Sequence, residues 1–167
     1  GFGNFTEIGR GGFSAVFRAV HTKIRDLEIA IKVVNKYEIL SADDRRNFEY
    51  EVEILKRLDF PFIITFYDLR ENNEFFFISM ELAKNGTLLE MINSKKQLDN
   101  ETSMRIFCQL SATLYYLHNV INSIHRDIKV ENIMFDDKMN LRLIDFGFSQ
   151  MIKNKSKDSA KGKNKNK

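Results

Sequence analysis

Through roughly its first half the chain alternates apolar and polar residues with a period of two, and then the period changes. NFTEI (4–8), SAVFRAV (14–20), EIAIKVVN (28–35), ITFYDL (64–69) and FFFISM (75–80) predict five short strands of one antiparallel sheet. One helix is predicted after Ser41, over residues 43–57. Its apolar stripe is Phe48, Val52, Leu55 and Leu58, at i, i+4, i+7 and i+10. From residue 86 to residue 119 the pattern is helical. A short piece covers 87–93, and a long one covers 100–119 with Asp99 or Asn100 as N-cap. In the long helix Met104, Phe107, Leu110, Leu114 and Leu117 recur at helical spacing and predict a core-facing stripe. Residues 123–152 return to short extended pieces separated by polar turns such as DDKMN (136–140). The run KNKSKDSAKGKNKNK (153–167) has no periodicity and reads as a disordered Lys-rich tail. There is no internal repeat. The layout is a mostly β lobe, a linker near residues 82–86, and a mostly α lobe.

Composition bounds this picture. The 167 residues suffice for one sizeable domain or two small lobes sharing a cleft. Hydrophobic residues make up 43% and aromatic residues 12%, which supplies a core and excludes a disordered class. Apolar runs such as FPFIITFY (60–67) are too short to span a bilayer, and the first residues form no signal peptide. The single cysteine, Cys108, excludes an intrachain disulfide and reads as a small buried hydrophobe. It makes a reducing compartment the default: cytoplasmic, with the nucleus as the other option. The net charge of +3 conceals a division, because residues 153–167 hold seven lysines against one aspartate. The remainder holds 19 basic and 22 acidic residues, so no nucleic-acid partner is expected for the body. A membrane- or nucleic-acid-binding arm is the weaker alternative to a solvated tail.

Candidate chemistry is spread along the chain. IGRGGFSAV (8–16) sets glycines at 9, 11 and 12 between two strand patterns, a hairpin whose backbone N–H groups could approach phosphates. In IAIK (29–32), Ala30 and Lys32 project to one face of a strand, placing a small residue beside a cation. A lone strand lysine is ordinarily exposed, but Glu51 changes the reading. It falls within the apolar stripe of its helix, where a carboxylate needs a partner, and Lys32 is the natural candidate. IHRDIKVENI (124–133) and LIDFGFS (143–149) then add Asp127, Lys129, Asn132 and Asp145. Two carboxylates, an ammonium and an amide suit a divalent metal, with one carboxylate left to orient a hydroxyl.

In this order, GRGGFSAV, IAIK, Glu51 in its helix, MEL (80–82), HRDIKVEN and DFG resemble the eukaryotic-type Ser/Thr protein kinases over residues 4 to about 150. Lys129, two after Asp127, is similar to the Ser/Thr class. FPFI and DFGFS are most similar to the calcium/calmodulin-dependent and AMP-activated group. The resemblance implies an α+β, two-lobe fold: a complete ATP-binding lobe over 1–83, and over 84–152 the first part of the helical lobe, with catalytic loop and DFG. It implies ATP and Mg²⁺ as cofactors, and transfer of the γ-phosphate to Ser/Thr hydroxyls of a protein substrate.

It also implies roles. Ile8, Gly9, Arg10, Gly11 and Gly12 would cover the nucleotide. Val16, Ala30 and Met134 would enclose adenine, the hinge backbone at Glu81 and Ala83 would meet its edge, and Met80 would guard the back pocket. Lys32 would hold the α- and β-phosphates while paired with Glu51. Asp145 and Asn132 would bind metal, Asp127 would orient the substrate hydroxyl, and Lys129 would neutralise the γ-phosphate. Leu55, Phe66, His125 and Phe146 would stack as a column between the lobes, making His125 a packing residue rather than an acid or base.

Three departures from the family pattern stand out. Ser14 replaces the third loop glycine. Thr87 stands where relatives hold ribose with an acid. No APE motif follows residue 150, which reads as a C-terminally truncated catalytic domain with Arg126 lacking the loop it would grip. The alternative is a non-catalytic nucleotide-binding or interaction module derived from a kinase. The sequence assigns no oligomeric state.

Overall fold

The computed structural model describes residues 1–12 and 14–152. The tail at 153–167 lies outside the described residues. The period-two stretches form β1 (Phe2–Arg10), β2 (Ser14–His21), β3 (Glu28–Asn35), β4 (Phe66–Glu71) and β5 (Phe75–Glu81). They make one antiparallel sheet in the order β1-β2-β3-β5-β4, as the alternation predicts. In its register Lys32 lies between Val16 and Ile78, and Ala30 lies opposite Met80.

Helix α1 spans Ala42–Leu55. Its start is fixed by a capping box, with the Asp44 N–H donating to Ser41 Oγ at 3.0 Å and the Ser41 N–H to Asp44 Oδ2 at 3.2 Å. Asp43 and Asp44 add negative charge where the helix dipole favours it. One face buries Glu51, Val52, Ile54 and Leu55 against the sheet, and Phe48 stacks on Phe76.

Residues 82–87 lead into α2 (Leu88–Lys95), which is capped by Thr87, and α3 (Asn100–Tyr116), which is capped by Asp99. A π-helical turn, Leu117–Ile121, ends at Asn122 in the left-handed conformation. The predicted stripe on α3 holds at Leu110, Leu114 and Leu117, which pack on the core, and needs correcting at its start. Met104 is 61% exposed and Phe107 66%, while the buried face carries Ile106, Thr113 and Leu117. Polar residues occupy that face because their bonding is met locally: Gln109 Oε1 accepts the Leu141 N–H at 2.9 Å, and Thr113 Oγ1 donates to the Gln109 carbonyl at 2.8 Å. Cys108 points away from the same face and is exposed, not buried as its pattern predicted.

The chain then makes β6 (Ser123–Ile124), β7 (Ile133–Phe135), β8 (Leu141–Leu143) and β9 (Gln150–Met151), with β6 paired to β9 and β7 to β8. The free edge of β8 meets the loop before β4. The Leu143 N–H donates to the Phe62 carbonyl at 2.9 Å, and the Ile64 N–H to the Leu143 carbonyl at 3.1 Å. A continuous core runs across this seam and includes Leu55, Ile63, Ile78, Leu117, Leu143 and Phe146. The sheet with α1 and the helices with the small hairpins are therefore joined on both sides of a cleft.

Candidate active site

The cleft encloses about 540 Å³. Ile8, Gly9 and Arg10 line it from β1, Gly11 from the turn that follows, Val16 from β2, and Ala30 and Lys32 from β3. Met80, Glu81 and Ala83 line it from the end of β5, with Glu51 from α1 and Asn132, Met134 and Asp145 from the lower side. Three residues read from the sequence do not line it. Gly12 stands at the hairpin tip, where an added Cβ would meet nothing within 4 Å. Asp127 and Lys129 lie beside the cleft. The Arg10 guanidinium is bound to the Glu7 carboxylate. Gly11 directs its N–H to the Ser14 carbonyl at 2.8 Å, so that donor closes the hairpin.

Lys32 Nζ lies 2.6 Å from Glu51 Oε1, with both side chains largely shielded. Burial pushes the Lys32 ammonium toward neutrality, but the Glu51 and Asp145 carboxylates outweigh it and hold its pKa above the ordinary lysine value. Lys32 is thus a firmly protonated cation facing two carboxylates in the cleft.

The loop from His125 to Asn132 is organised by one neutral imidazole. His125 is 1% exposed, and burial depresses its pKa. Nε2 lies 3.0 Å from the Ile144 carbonyl and donates to it, while Nδ1 accepts the Asp127 N–H at 3.3 Å. The ring meets Phe146 edge-on at 4.8 Å. One side chain therefore fixes the backbone beside both Asp127 and Asp145. Leu55 and Phe146 are core residues of this packing and Phe66 is packed against them, so His125 behaves as a column residue.

Asp127 uses one oxygen. Its Oδ2 accepts from Lys129 Nζ at 2.8 Å and from Asn132 Nδ2 at 2.8 Å. Among the described residues, Oδ1 receives no hydrogen bond. The Lys129 hydrogen bond, helped by Asn132 and opposed by desolvation, holds the Asp127 carboxyl below its ordinary range. Asn132 Nδ2 also donates to the Asp127 carbonyl at 2.9 Å, leaving the amide oxygen as its open ligand atom. Arg126 has a positive φ of 67° and donates to the Phe148 carbonyl and to Gln150 Oε1. It is engaged by the segment after DFG.

Asp145 has φ 61°, a strained setting for a residue with a Cβ. Its Oδ1 accepts the Gly147 N–H at 3.3 Å. A Cβ on Gly147 would stand 3.3 Å from that oxygen and 3.5 Å from Glu51 Oε2, so glycine there keeps the space between two carboxylates open.

Two features were missed from sequence. Ile64, Leu82 and Ile144 also line the cleft, and their place in strand or motif patterns does not mark them as site residues. The Glu81 carboxylate is bound by Arg142, which no motif in the sequence singles out.

Comparison with known proteins decides the family, since a protein kinase domain profile matches residues 2–165. The chain belongs to the protein kinase family. Among its relatives are proteins named as serine/threonine-protein kinases. It is 32% identical over 146 residues to serine/threonine-protein kinase SIK1 of Rattus norvegicus, an alignment covering 87% of this chain and 18% of the relative. It is 33% identical over 144 residues to NUAK family SNF1-like kinase 1 of Homo sapiens, covering 86% and 22%. It is 32% identical over 147 residues to testis-specific serine/threonine-protein kinase 4 of Homo sapiens, covering 87% and 44%. The chain thus spans less than half the length of these relatives. The SIK and NUAK relatives are AMP-activated-kinase-related, in keeping with the calcium/calmodulin-dependent and AMP-activated group that FPFI and DFGFS resemble.

Proposed function

We propose that this kinase transfers the γ-phosphate of ATP to Ser and Thr hydroxyls of a protein substrate. The observation that carries the reading is the convergence of Lys32, Glu51 and Asp145 in one cleft, with Asp127 presenting an unused carboxylate oxygen beside it. The donor set fits the cofactors. Asp145 and the Asn132 amide oxygen are hard oxygen ligands suited to Mg²⁺, which keeps waters and phosphates as its remaining partners. Met134, Ala30 and Val16 offer an apolar slot for a flat ring. The Glu81 N–H is bonded to the Thr65 carbonyl at 2.9 Å, so its own carbonyl is what remains for the adenine edge.

Lys32 would neutralise and place the α- and β-phosphates, kept extended by Glu51. Mg²⁺ would supply charge neutralisation at the β- and γ-oxygens. Asp127 Oδ1 would accept the hydrogen bond of the incoming hydroxyl and take its proton, while Oδ2 stays fixed by Lys129 and Asn132. Lys129 would also meet the γ-phosphate. No described helix is long and apolar enough to cross a membrane, and we place the reaction in the cytosol or nucleus on the single cysteine. The test is phosphate transfer from labelled ATP to Ser/Thr peptides by the parent, Lys32→Met and Asp145→Asn. Transfer lost in both variants supports the reading. Nucleotide binding by a parent that transfers nothing would favour the non-catalytic module instead.

A further inference from the structure

Arg142 lies on β8 with its side chain only 17% exposed, and it joins three segments that are distant in sequence. Nε donates to Glu81 Oε1 at 2.8 Å, Nη2 pairs with Asp136 Oδ2 at 3.0 Å, and Nη1 donates to the Pro61 carbonyl. The other Glu81 oxygen is also committed: Oε2 accepts Thr65 Oγ1 at 2.9 Å and the Thr65 N–H at 3.2 Å. Both carboxylate oxygens are held, so the orientation of Glu81, and with it the backbone lining the cleft, is fixed from behind.

The far end of the same connection is held through the same arginine. Asp136 Oδ1 accepts the N–H groups of Lys138 and Asn140, and its carbonyl accepts Asn85 Nδ2 at 2.7 Å. The Asn85 N–H donates to the Phe135 carbonyl at 3.1 Å, and the Phe135 N–H to the Gly86 carbonyl at 3.1 Å. Arg142 therefore fastens Glu81 directly and Asn85 through Asp136, leaving residues 82–84 as the span between two anchors. A guanidinium presents its donors in one rigid plane that reaches three separated acceptors, whereas an ammonium gathers its three donors at a single point.

We propose that Arg142 is a positioning residue for the adenine end of the nucleotide, acting through Glu81 and Asp136 to set the hinge backbone against Met134. The role rests on the nucleotide reading above. It predicts a split effect, because misplacing the hinge harms recognition of the base and leaves the phosphate side, held by Lys32 and Asp145, untouched.

The experiment is an NMR titration of the 167-residue chain with adenosine and, separately, with Mg²⁺-tripolyphosphate, together with amide hydrogen exchange at residues 81–86. In Arg142→Met, exchange at 81–86 accelerates, adenosine affinity falls about tenfold, and tripolyphosphate affinity stays within about twofold. Arg142→Lys recovers part of the adenosine affinity. Should Arg142→Met fail to fold, Thr65→Val removes one bond to Glu81 and shows a smaller loss confined to adenosine. Equal losses for both probes, or unchanged adenosine affinity in a folded Arg142→Met, overturn the role of Arg142 alone. A parent chain that binds neither probe removes the nucleotide reading and this role with it.

Discussion

Lys32 and Glu51 meet at 2.6 Å between the third strand and the first helix, and the Asp145 carboxylate acts on the same ammonium. Removing one member takes from the other its direct partner in a largely shielded place. Glu51→Leu is expected to destabilise the fold by about 3 kcal/mol, whereas Lys32→Met/Glu51→Leu together restore much of that loss. Denaturant unfolding of the two single variants and the double variant measures the coupling. Strictly additive effects would contradict a direct pair.

The buried imidazole of His125 makes stability depend on pH with a defined sign. Burial holds its folded pKa below the usual 6.5, so below that value the unfolded chain takes up a proton that the folded chain refuses. The contribution is complete above about pH 6.5 and is lost as pH falls toward the depressed folded value. The melting temperature should therefore fall from about pH 7 to about pH 5. His125→Phe should show a shallower slope over that window. Identical slopes would show that His125 does not carry the effect.

Glu131 is exposed on the 3₁₀ turn just before Asn132 and lines the cleft mouth. An exposed carboxylate beside the loop that would meet the substrate attracts basic side chains, so a peptide array should enrich Arg or Lys ahead of the phosphorylated Ser or Thr. Glu131→Gln should reduce the preference several-fold. Thr87 spends its hydroxyl on capping α2 and supplies no second acid. An array without basic enrichment would remove the expectation.

Lys32 and Glu51 were legible because each violates a simple period: a lysine beside an alanine on a buried strand, and a carboxylate inside an apolar stripe. The loop carrying Asp127, Lys129 and Asn132 was legible because its polar residues lie close together in sequence. The Arg142 network was not, since Glu81 and Arg142 are 61 residues apart and each alone reads as an ordinary half-exposed charge. On α3 the apolar residues supply more than one stripe, and periodicity cannot choose between them. Gln109 and Thr113 decide the face through hydrogen bonds to and within the packed side, information that hydropathy does not contain.

The most direct test of the account is the pair of turnover and ATP affinity for Asp127→Asn, in the native polypeptide carrying residues 1–167. Asn keeps the size and one acceptor but cannot take a proton at Oδ1. Phosphoryl transfer depends mainly on positioning and electrostatics, and a positioned base contributes about 10²–10⁴-fold in rate. Asp127 lies beside the nucleotide cleft, not in its lining, so ATP affinity should stay within about threefold while turnover falls by at least about a hundredfold. Turnover within about twofold of the parent would contradict the assignment of Asp127 as the group that receives the substrate proton.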